Sequence, residues 1–402
     1  MPASPFSRRR FLRTLLTTGA GLLAGCAAPT QRPSPTTSST VQPPTSTPSP
    51  TLTLTPTATS TPTPSPTATP APSDLIKQIV VFIQENHTFD SLFAGFPGAD
   101  GEYAGQDCPD ALFADPPHQH YHAFVPGGAT TAEAACSYNE VTAPIYWQLA
   151  REFTLCDKFF ADVRGPSHPN YLMLVAAQSP IVNTPFPSDV CPDFCLDIST
   201  LPDRLDPRGL TWRDYGGIFT DIKSKAGRPE AMDRQDAQFF LDAGQGTLPN
   251  VSWLNSSFLE GGLEKSGHPP ASLCDAQTYA VKVLNALMSS PQWPTTAVFL
   301  VWDDWGGFYD HVEPPTIEDW KDGTSFRYGH RVPCLVISPY ARRGYISHEL
   351  HSHVSTLRFI ETIFNLDPLT ERDAEASDML DCFDFAGPPG PPLTLTPPDC
   401  PA

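Results

Sequence analysis

The sequence predicts an α/β fold in which helices flank a mostly parallel central sheet. Apolar, β-branched runs are typical of strands that are buried on both faces, and four of them occur, at 76–83, 153–160, 296–302 and 332–338. Helical patterns lie between and after these runs, most clearly at 276–288 and 354–364. Strands that alternate with helices indicate one α/β domain, which we expect over residues 74–402.

The first 26 residues have the pattern of an export signal, so they are not part of the fold. Arg8-Arg9-Arg10-Phe11-Leu12 resembles the twin-arginine export signature, and an apolar run from Leu15 to Ala24 follows it. The run ends in Leu23-Ala24-Gly25-Cys26, which looks like a bacterial lipobox. We therefore expect that the protein is exported by the twin-arginine route as a cell-surface or periplasmic lipoprotein. Release outside the cell is the alternative location. Contact with the membrane would come through lipidated Cys26 only. The alternative is an ordinary signal peptide with a chance cysteine.

Residues 27–73 are predicted to be a disordered linker. Of these 47 residues, 13 are proline, 15 are threonine and 8 are serine, and Arg32 carries the only charge. A segment with so few large apolar side chains cannot offset the entropy lost on ordering, so it forms an extended tether.

The charge of the chain limits its partners. It has 25 basic and 44 acidic residues, a net charge of −19, but five of the basic residues and none of the acidic ones precede residue 74. The rest of the chain therefore has 20 basic against 44 acidic residues, a net charge of −24. Nucleic-acid binding is not expected, because a phosphate backbone requires a basic surface. An anionic ligand would need a cation or local positive groups to hold it.

Nine cysteines follow Cys26, and in an exported protein most of them are expected in disulfides. Cys334 lies in an apolar run and is the candidate for a free, buried thiol. Cys382 with Cys400 would fix the Pro-rich C-terminal tail, and Cys191 pairs locally with Cys195 in this interpretation. Zinc is the alternative for the Cys191–Cys195 segment, but no second pair at finger-like spacing supports it.

Two predicted strands end in oxygen-rich doublets. The run 76–83 continues into Glu85 and Asn86, and the run 296–302 continues into Asp303 and Asp304. Ligands of such sheets bind at the carboxyl ends of the strands. Four oxygen donors suit one divalent cation such as Ca²⁺, Mg²⁺ or Mn²⁺ better than a soft metal. The alternative is that these side chains only cap helices or face water.

Ser167 is the candidate nucleophile. It lies in Gly165-Pro166-Ser167-His168-Pro169-Asn170, just before an apolar, helix-like run, and is predicted to be the N-cap of that helix. A serine at a helix N-terminus faces free N–H groups, which favour anions. A plain structural N-cap is the alternative, and proximity to the cation site decides between the two.

Histidines supply the candidates for proton transfer. His118, His120 and His122 alternate and would share one face of an extended chain, as in a three-histidine metal site, although solvent exposure is the commoner outcome for such a cluster. The backbone of His268 is restricted by Pro269-Pro270.

Five motifs in this order resemble the bacterial phosphoesterase family, which contains non-specific phospholipases C and an acid phosphatase within the alkaline-phosphatase-like superfamily. The motifs are ENHTFD (85–90), GPSHPN (165–170), HPP (268–270), WDDWGGFYDHVEPP (302–315) and RVPCLVISPYARRG (331–344). The resemblance implies an alkaline-phosphatase-like fold and a metal-dependent hydrolase that acts on phosphate esters or phospholipids. Three departures from the family pattern are Asp304 in place of glutamate, Tyr171 in place of arginine and Ser352 in place of aspartate, and the last two concern substrate contacts.

The resemblance also implies roles for individual residues. Ser167 would take the place of the nucleophile. We expect that it loses its proton on coordination to the cation and attacks phosphorus, and that water then cleaves the phosphoserine. His268 and His118 would hold phosphate oxygens or protonate the leaving group. The resemblance assigns the cation to Glu85, Asn86, Asp303 and Asp304. Apart from the resemblance, we predict that Asn170, His311 and His353 bind the substrate; His311 lies just after a predicted strand and His353 just before a predicted helix. Two other functions stay open. One is a sulfatase or phosphonate hydrolase of the same fold, although the Cys/Ser-x-Pro-x-Arg pattern of sulfatases lacks its arginine here. The other is a non-catalytic surface lipoprotein.

Overall fold

A seven-stranded sheet forms the centre of the protein in the computed structural model. The structure describes residues 70–184, 196–231, 235–319 and 325–400, with the backbone alone at 317–319 and 325–327. Eleven strands are present in these residues: β1 (Gln78–Gln84), β2 (Thr154–Cys156), β3 (Phe159–Phe160), β4 (Trp212–Asp214), β5 (Val251–Asn255), β6 (Thr296–Trp302), β7 (Thr316–Asp319), β8 (Ser325–Arg327), β9 (Cys334–Ile337), β10 (Tyr345–Ser347) and β11 (His351–Ser352).

The main sheet has the strand order β10-β2-β9-β6-β1-β5-β4, and β3–β11 and β7–β8 form two small separate sheets. The order places β1 and β6, the two strands with polar doublets at their ends, side by side near the middle. They pair in parallel from Gln78↔Thr296 to Gln84↔Trp302. All seven residues of β6 are buried, as expected for a strand with helices on both faces.

Ten α-helices occur in the described residues. They are α1 (Pro72–Leu75), α2 (Phe89–Phe93), α3 (Pro144–Glu152), α4 (Ser167–Ala176), α5 (Pro202–Leu205), α6 (Asp236–Gln245), α7 (Gly262–Ser266), α8 (Leu273–Met288), α9 (His353–Phe364) and α10 (Glu371–Ala374). None of them is both long enough and apolar enough to cross a membrane.

Helices cover both faces of the sheet. Phe82 of β1 packs edge-on against Tyr279 of α8, whereas Phe299 of β6 packs against Phe359 of α9. Phe299 pairs with Val81, the residue before Phe82, and successive side chains of a strand point to opposite faces. Helices α8 and α9 therefore lie on opposite sides of the sheet. The predicted arrangement of a mostly parallel sheet between helices is confirmed.

The predicted run 332–338 forms β9, but its direction was predicted wrongly. Strand β9 pairs antiparallel with both β6 and β2, while β2 pairs in parallel with β10. Because β9 is short and buried, its apolar composition indicates burial on both faces and carries no information about direction. The run 153–160 also differs from its prediction, since it divides into β2 and β3.

The stretch 180–270 contributes two strands to the sheet, although no strand was predicted there. It contains β4 and β5, which extend the sheet beyond β1 through parallel pairing. The sequences of these strands, Trp-Arg-Asp and Val-Ser-Trp-Leu-Asn, are short and interrupted by polar residues, so they lack the apolar run by which the other strands were recognised.

Two disulfides occur in the described residues, Cys108–Cys136 and Cys274–Cys400. The predicted pair Cys382–Cys400 is therefore wrong: the tail is fixed to α8 instead of to the segment before it. Cys334 is free and buried as predicted, but Cys156 and Cys382 are also free and buried. The segment Cys191–Cys195 and the proposed signal peptide lie outside the described residues, as does the linker before residue 70.

Candidate active site

Four oxygen-bearing side chains meet at the carboxyl edge of β1 and β6. The last residues of the two strands, Gln84 and Trp302, are register partners, so the doublets that follow them are neighbours. Glu85 is 2% exposed, and Asn86, Asp303 and Asp304 are fully buried. The sheet thus brings together the four residues that the sequence predicted as cation ligands.

The backbone turns sharply at both doublets. Asn86 has a φ of 61° and Gly306 a φ of 59°, both in the left-handed region. A Cβ on Gly306 would lie 2.3 Å from Asn86 O and 2.6 Å from Asn86 Cβ. Glycine is therefore required where the loop after β6 crosses the loop after β1. The N–H of Gly306 also donates to Asp304 Oδ1 at 2.7 Å, which fixes that carboxylate.

Burial raises the pKa of all three carboxyl groups. For Glu85, burial and then the charge of Asp303 raise the pKa to about 8, although nearby His268 lowers it. The pKa of Asp303 is well above its ordinary value because of burial and the charge of Asp304. Burial also holds the pKa of Asp304 well above its usual range, against the opposing hydrogen bond from Gly306. Carboxylates packed in this way need a positive charge beside them in order to ionise together.

The polar atoms at the site fit a hard cation. Neither carboxylate oxygen of Asp303 has a hydrogen-bond partner among the described residues, and the same is true of Asn86 Oδ1. Buried oxygens of this kind are normally satisfied, and a cation with oxygen ligands would satisfy all three. His118 Nε2 lies 3.3 Å from Asn86 Nδ2 and orients the amide so that its oxygen stays free.

Ser167 lies directly beside these carboxylates. Its hydroxyl donates to Asp304 Oδ2 at 3.2 Å and is also near Asp303. Helix α4 begins at Ser167 with Pro166 in the N-cap position, so the prediction that Ser167 is itself the N-cap is wrong by one residue. Ser167 is half-buried and stands in the first turn of α4, where backbone N–H groups have no intrahelical partner.

Two histidines and an aspartate lie next to Glu85 and Asn86. One ligand atom from each of Asp115, His118 and His268 lies within 4.8 Å of the others. His268 Nδ1 bonds to Pro269 O at 2.6 Å, and its Nε2 lies 3.8 Å from Glu85 Oε2. His118 Nδ1 bonds in the same way to Pro116 O at 2.7 Å. In both rings the Nδ1 hydrogen bond fixes the orientation and leaves Nε2 facing the site.

The other two alternating histidines do not join His118. His120 Nδ1 bonds to Arg164 O, and His122 Nδ1 accepts from Gln119 N at 3.1 Å. The chain at His120–Phe124 is a 3₁₀ helix, so the extended conformation that a three-histidine site would need is not formed.

The structure gives the three predicted substrate-binding residues other contacts. Asn170 accepts from Val163 N and donates to the carbonyls of Val163, Gly165 and Pro166, so its amide holds the loop that carries Ser167. His353 Nε2 bonds to Trp302 O at 2.8 Å at the end of β6. His311 Nδ1 is hydrogen-bonded to Asp90 Oδ2, and His311 Nε2 lies 3.3 Å from Asp100 Oδ1. In the part of the chain that the structure describes, none of the three side chains has a hydrogen bond or ion pair to Ser167 or to the carboxylates of Glu85, Asp303 and Asp304.

Tyr171 and Asp115 are site residues without a predicted role. The Tyr171 hydroxyl donates to Glu85 Oε1 and lies 3.2 Å from Ser257 Oγ. Tyr171 stands four residues after Ser167, so one turn of α4 places both side chains on the same face. That spacing was a usable signal. Asp115 lies three residues before His118, but nothing in an irregular loop indicates that the two side chains converge.

A small cavity opens beside this face of α4. It has a volume of about 160 Å³ and is lined in part by His168, Tyr171, Leu172 and Phe258. The cavity has mixed polar and aromatic walls, and two of its lining residues, His168 and Tyr171, follow Ser167 in the first turns of α4.

The fold and site together define an α/β protein with a serine and a buried carboxylate cluster at the carboxyl edge of its sheet. The chain belongs to the Phosphoesterase family, whose model matches residues 110–367. The family inferred from the five motifs is therefore confirmed.

Curated relatives with similar sequences are phospholipases C. Phospholipase C B of Mycobacterium tuberculosis is 30% identical over 63% of this chain and 57% of its own length. Hemolytic phospholipase C of Pseudomonas aeruginosa is 28% identical over 63% of this chain and 43% of its own. The chain thus spans about half the length of these relatives. Non-specific phospholipase C6 of Arabidopsis thaliana is 27% identical over 81% of this chain and 74% of its own.

Solved structures with some likeness include a protein in the alkaline phosphatase superfamily from Vibrio parahaemolyticus. It has a TM-score of 0.41 and 13% identity, and the match covers 76% of this chain and 70% of that one. We draw nothing further from a likeness of this size.

Proposed function

We propose that the protein is a cation-dependent hydrolase of phosphate esters that uses Ser167 as its nucleophile. The observation that carries this proposal is the hydrogen bond from Ser167 Oγ to Asp304 Oδ2, 3.2 Å long, which holds a primary hydroxyl against a buried carboxylate cluster. Membership of the Phosphoesterase family and the names of the similar phospholipases C support the substrate class.

Glu85, Asn86, Asp303 and Asp304 would hold the cation. When bound, a divalent cation neutralises charge on phosphoryl oxygens and lowers the pKa of a nearby hydroxyl. The raised pKa values of the three carboxyl groups and the free oxygens of Asp303 and Asn86 support this assignment.

The chain's own residues supply the remaining steps. Asp304 Oδ2 accepts the Ser167 hydrogen bond, orients Oγ and is in position to receive its proton as Oγ bonds to phosphorus. The free N–H groups at the start of α4 face the developing negative charge. His268, as the imidazolium, gives its Nε2 proton to the departing alcohol oxygen and becomes neutral, while its Nδ1–H stays hydrogen-bonded to Pro269 O.

Hydrolysis of the phosphoserine reverses these roles. His268 Nε2 removes a proton from water, the water oxygen bonds to phosphorus, and the Ser167 Oγ–P bond breaks. Asp304 then returns the proton to Oγ. His118 keeps Asn86 oriented through its 3.3 Å contact throughout.

Replacing the nucleophile tests this mechanism. Ser167→Ala should lower kcat by at least about 10³-fold, because no other hydroxyl takes its place in line with phosphorus. Stopped-assay turnover of p-nitrophenyl phosphate measures the loss, and acid-quenched enzyme should carry phosphoserine in the wild type alone. Ser289→Ala, an exposed serine after α8, is the matched control and should keep full activity. If Ser167→Ala turned over p-nitrophenyl phosphate at a rate comparable to that of the wild type, the mechanism would be wrong.

Within this class, phospholipase C and phosphatase activities remain to be separated. Purified protein should be assayed with Ca²⁺, Mg²⁺ and Mn²⁺ on p-nitrophenyl phosphate, bis-p-nitrophenyl phosphate and phosphatidylcholine. Release of diacylglycerol supports a phospholipase C, whereas turnover of the monoester alone supports a phosphatase.

We also propose export by the twin-arginine route and anchoring through a lipid on Cys26. The sequence signals at 8–12 and 23–26 support this location. Labelling of growing cells with radioactive palmitate should mark the wild type and not Cys26→Ala, and an unlabelled wild type would exclude the anchor.

A further inference from the structure

A second cluster of ligand-type side chains lies towards the β10 end of the sheet, where β2 and β9 pair. It consists of the thiols of Cys156, Cys334 and Cys382 and the imidazole of His351, which we call the thiol cluster. All four residues are fully buried, and none of the three cysteines is in a disulfide. The catalytic proposal uses none of them.

The spacing of Cys156, Cys382 and His351 within the thiol cluster is compatible with a tetrahedral metal site. One ligand atom each from Cys156, Cys382 and His351 lies within 4.8 Å of the others, and the Sγ atoms of Cys156 and Cys382 are 3.8 Å apart. Zinc–thiolate bonds are about 2.3 Å long, so two sulfurs on a regular tetrahedron around zinc lie about 3.8 Å apart. The two thiols already have this separation.

Cys334 is the candidate for the fourth donor. It is the direct cross-strand partner of Cys156 in the antiparallel pair β2–β9 and a third free, buried thiol, although its Sγ is not among the three ligand atoms that lie within 4.8 Å of one another. The donor set is therefore three thiols and one imidazole, which is a common set for structural zinc sites. It is also chemically distinct from the oxygen donors of the candidate active site, since sulfur selects softer metals.

The imidazole of His351 is held in place. Its Nε2 lies 3.0 Å from Ser347 Oγ and 3.4 Å from Asp381 Oδ1. Its Nδ1 has no hydrogen-bond partner among the described residues although the side chain is fully buried. A ring fixed by a carboxylate and a hydroxyl through one nitrogen, with the other nitrogen free, is the usual arrangement of a metal-binding histidine.

Four separate segments supply the donors: β2, β9, β11 and the turn Leu380–Cys382. Cys382 is additionally fixed through its carbonyl oxygen, which accepts from Arg342 N at 2.9 Å and from Thr154 Oγ1 at 3.0 Å. A shared metal would tie the C-terminal segment to the sheet strands β2 and β9.

We propose that the thiol cluster is a structural zinc site with Cys156, Cys334, Cys382 and His351 as ligands. The alternative use of the thiols is a disulfide between two of them. Any such pair leaves the third thiol and the Nδ1 atom of His351 buried without a ligand, whereas zinc engages all four donors. The site is closed, because its four ligands are protein groups and all are buried.

Cobalt substitution on the full-length protein tests the site. The protein produced in zinc-supplemented medium should retain about one zinc per chain after the oxygen-ligand site has been stripped with a weak chelator. Exchange of that metal for Co²⁺ should produce thiolate-to-cobalt charge-transfer absorption, which oxygen ligands do not give. The readout therefore distinguishes the thiol cluster from the cation site at Glu85 and Asp303, and it does not depend on activity.

Two double variants complete the experiment. Cys156→Ser with Cys382→Ser should lose the zinc and the charge-transfer band, whereas Cys108→Ser with Cys136→Ser removes two sulfurs from a disulfide elsewhere and should keep both. If the first variant does not fold, alkylation of the native wild type decides: the three thiols should react only after strong chelation. Recovery of a peptide with Cys156 and Cys382 joined by a disulfide, or thiols that react freely without a chelator, overturns the proposal.

Discussion

Gly306 lacks a side chain, and this allows the loop after β6 to pass close to the loop that carries Glu85 and Asn86. Its added Cβ would meet Asn86 O at 2.3 Å, and backbone atoms cannot move aside as a flexible side chain can. Gly306→Ala should therefore displace the loop that carries Glu85 and Asn86. Because a 1 Å displacement at a catalytic site can cost about 100-fold in rate, we expect kcat/KM to fall by about that factor while the fold persists.

Steady-state kinetics and thermal unfolding check this effect together. Gly244→Ala is the matched control, because its added Cβ has nothing within 4 Å and its φ is not positive. It should leave kcat/KM unchanged and Tm equal or slightly higher, since it lies in helix α6. Equal activity in the two variants would show that the contact between the two loops does not control the site.

Glu361 is a buried acid with a distinct effect on stability. It is 1% exposed, and neither carboxylate oxygen has a hydrogen-bond partner among the described residues. Burial, then the neighbouring Asp373 carboxyl, raise its pKa to about 9, although Arg358 lowers it. The folded state therefore favours the protonated form. This contribution to stability is fully present below the ordinary pKa of 4.5 and is lost as pH rises towards 9.

Glu361→Gln should remove this pH dependence, because the amide has no proton to lose. At pH 8 we expect the free energy of unfolding of the variant to exceed that of the wild type by at least about 1 kcal/mol, and the difference to shrink towards pH 5. Denaturant titrations at several pH values measure it. Glu349→Gln, an exposed position, should show no such trend, and a constant difference for Glu361→Gln across pH would contradict the assignment.

The residue-level predictions from the sequence succeeded where a strand fixes the position. Glu85, Asn86, Asp303 and Asp304 follow long apolar runs directly, so their meeting at one sheet edge could be foreseen. The proximity of the His118 and Asp115 side chains could not be predicted, because an irregular loop has no periodicity from which to infer it. Asn170, His311 and His353 were predicted as substrate-binding residues from their place in the sequence, and only the structure shows the carbonyls and carboxylates that they contact.

At the level of elements, predictability follows strand length and composition. Strand β6 was located to the residue because Thr296–Trp302 is an unbroken apolar run after its first residue, and α8 and α9 were located within three residues. Strand β5 was missed because Ser252 and Asn255 interrupt it. Its polar side chains are nevertheless buried. Burial of such residues depends on tertiary contacts that a single sequence does not contain.

The disulfide Cys274–Cys400 joins the C-terminal tail to α8 across a sequence separation of 126 residues. Replacing both cysteines with serine should lower the free energy of unfolding by about 3–5 kcal/mol, because the unfolded chain regains the entropy of a large loop. Activity should persist at low temperature, since neither residue contacts the candidate active site. Thermal unfolding measures the loss.

The second disulfide is the natural comparison. Cys108–Cys136 closes a separation of only 28 residues, so its double serine variant should lose about 1 kcal/mol less. A larger loss from the shorter loop would mean that native contacts around Cys108, and not loop entropy, dominate.

For the whole molecule, the net charge of −24 over residues 74–402 opposes the substrate class that the site favours. A field of this sign repels a phosphate monoester at long range, while the candidate cation and the first turn of α4 attract it only at short range. The approach of the substrate and the chemistry at the site should therefore respond differently to salt.

Raising the ionic strength from 0.01 to 0.15 M shortens the screening length from about 30 to about 8 Å. We expect kcat/KM for p-nitrophenyl phosphate to rise about 2- to 10-fold as the repulsion is screened, with kcat nearly constant. The zwitterionic ester p-nitrophenyl phosphorylcholine carries no net charge and should change much less under the same conditions. A fall in kcat/KM for the monoester would show that the positive field of the loaded site outweighs the acidic surface even at long range.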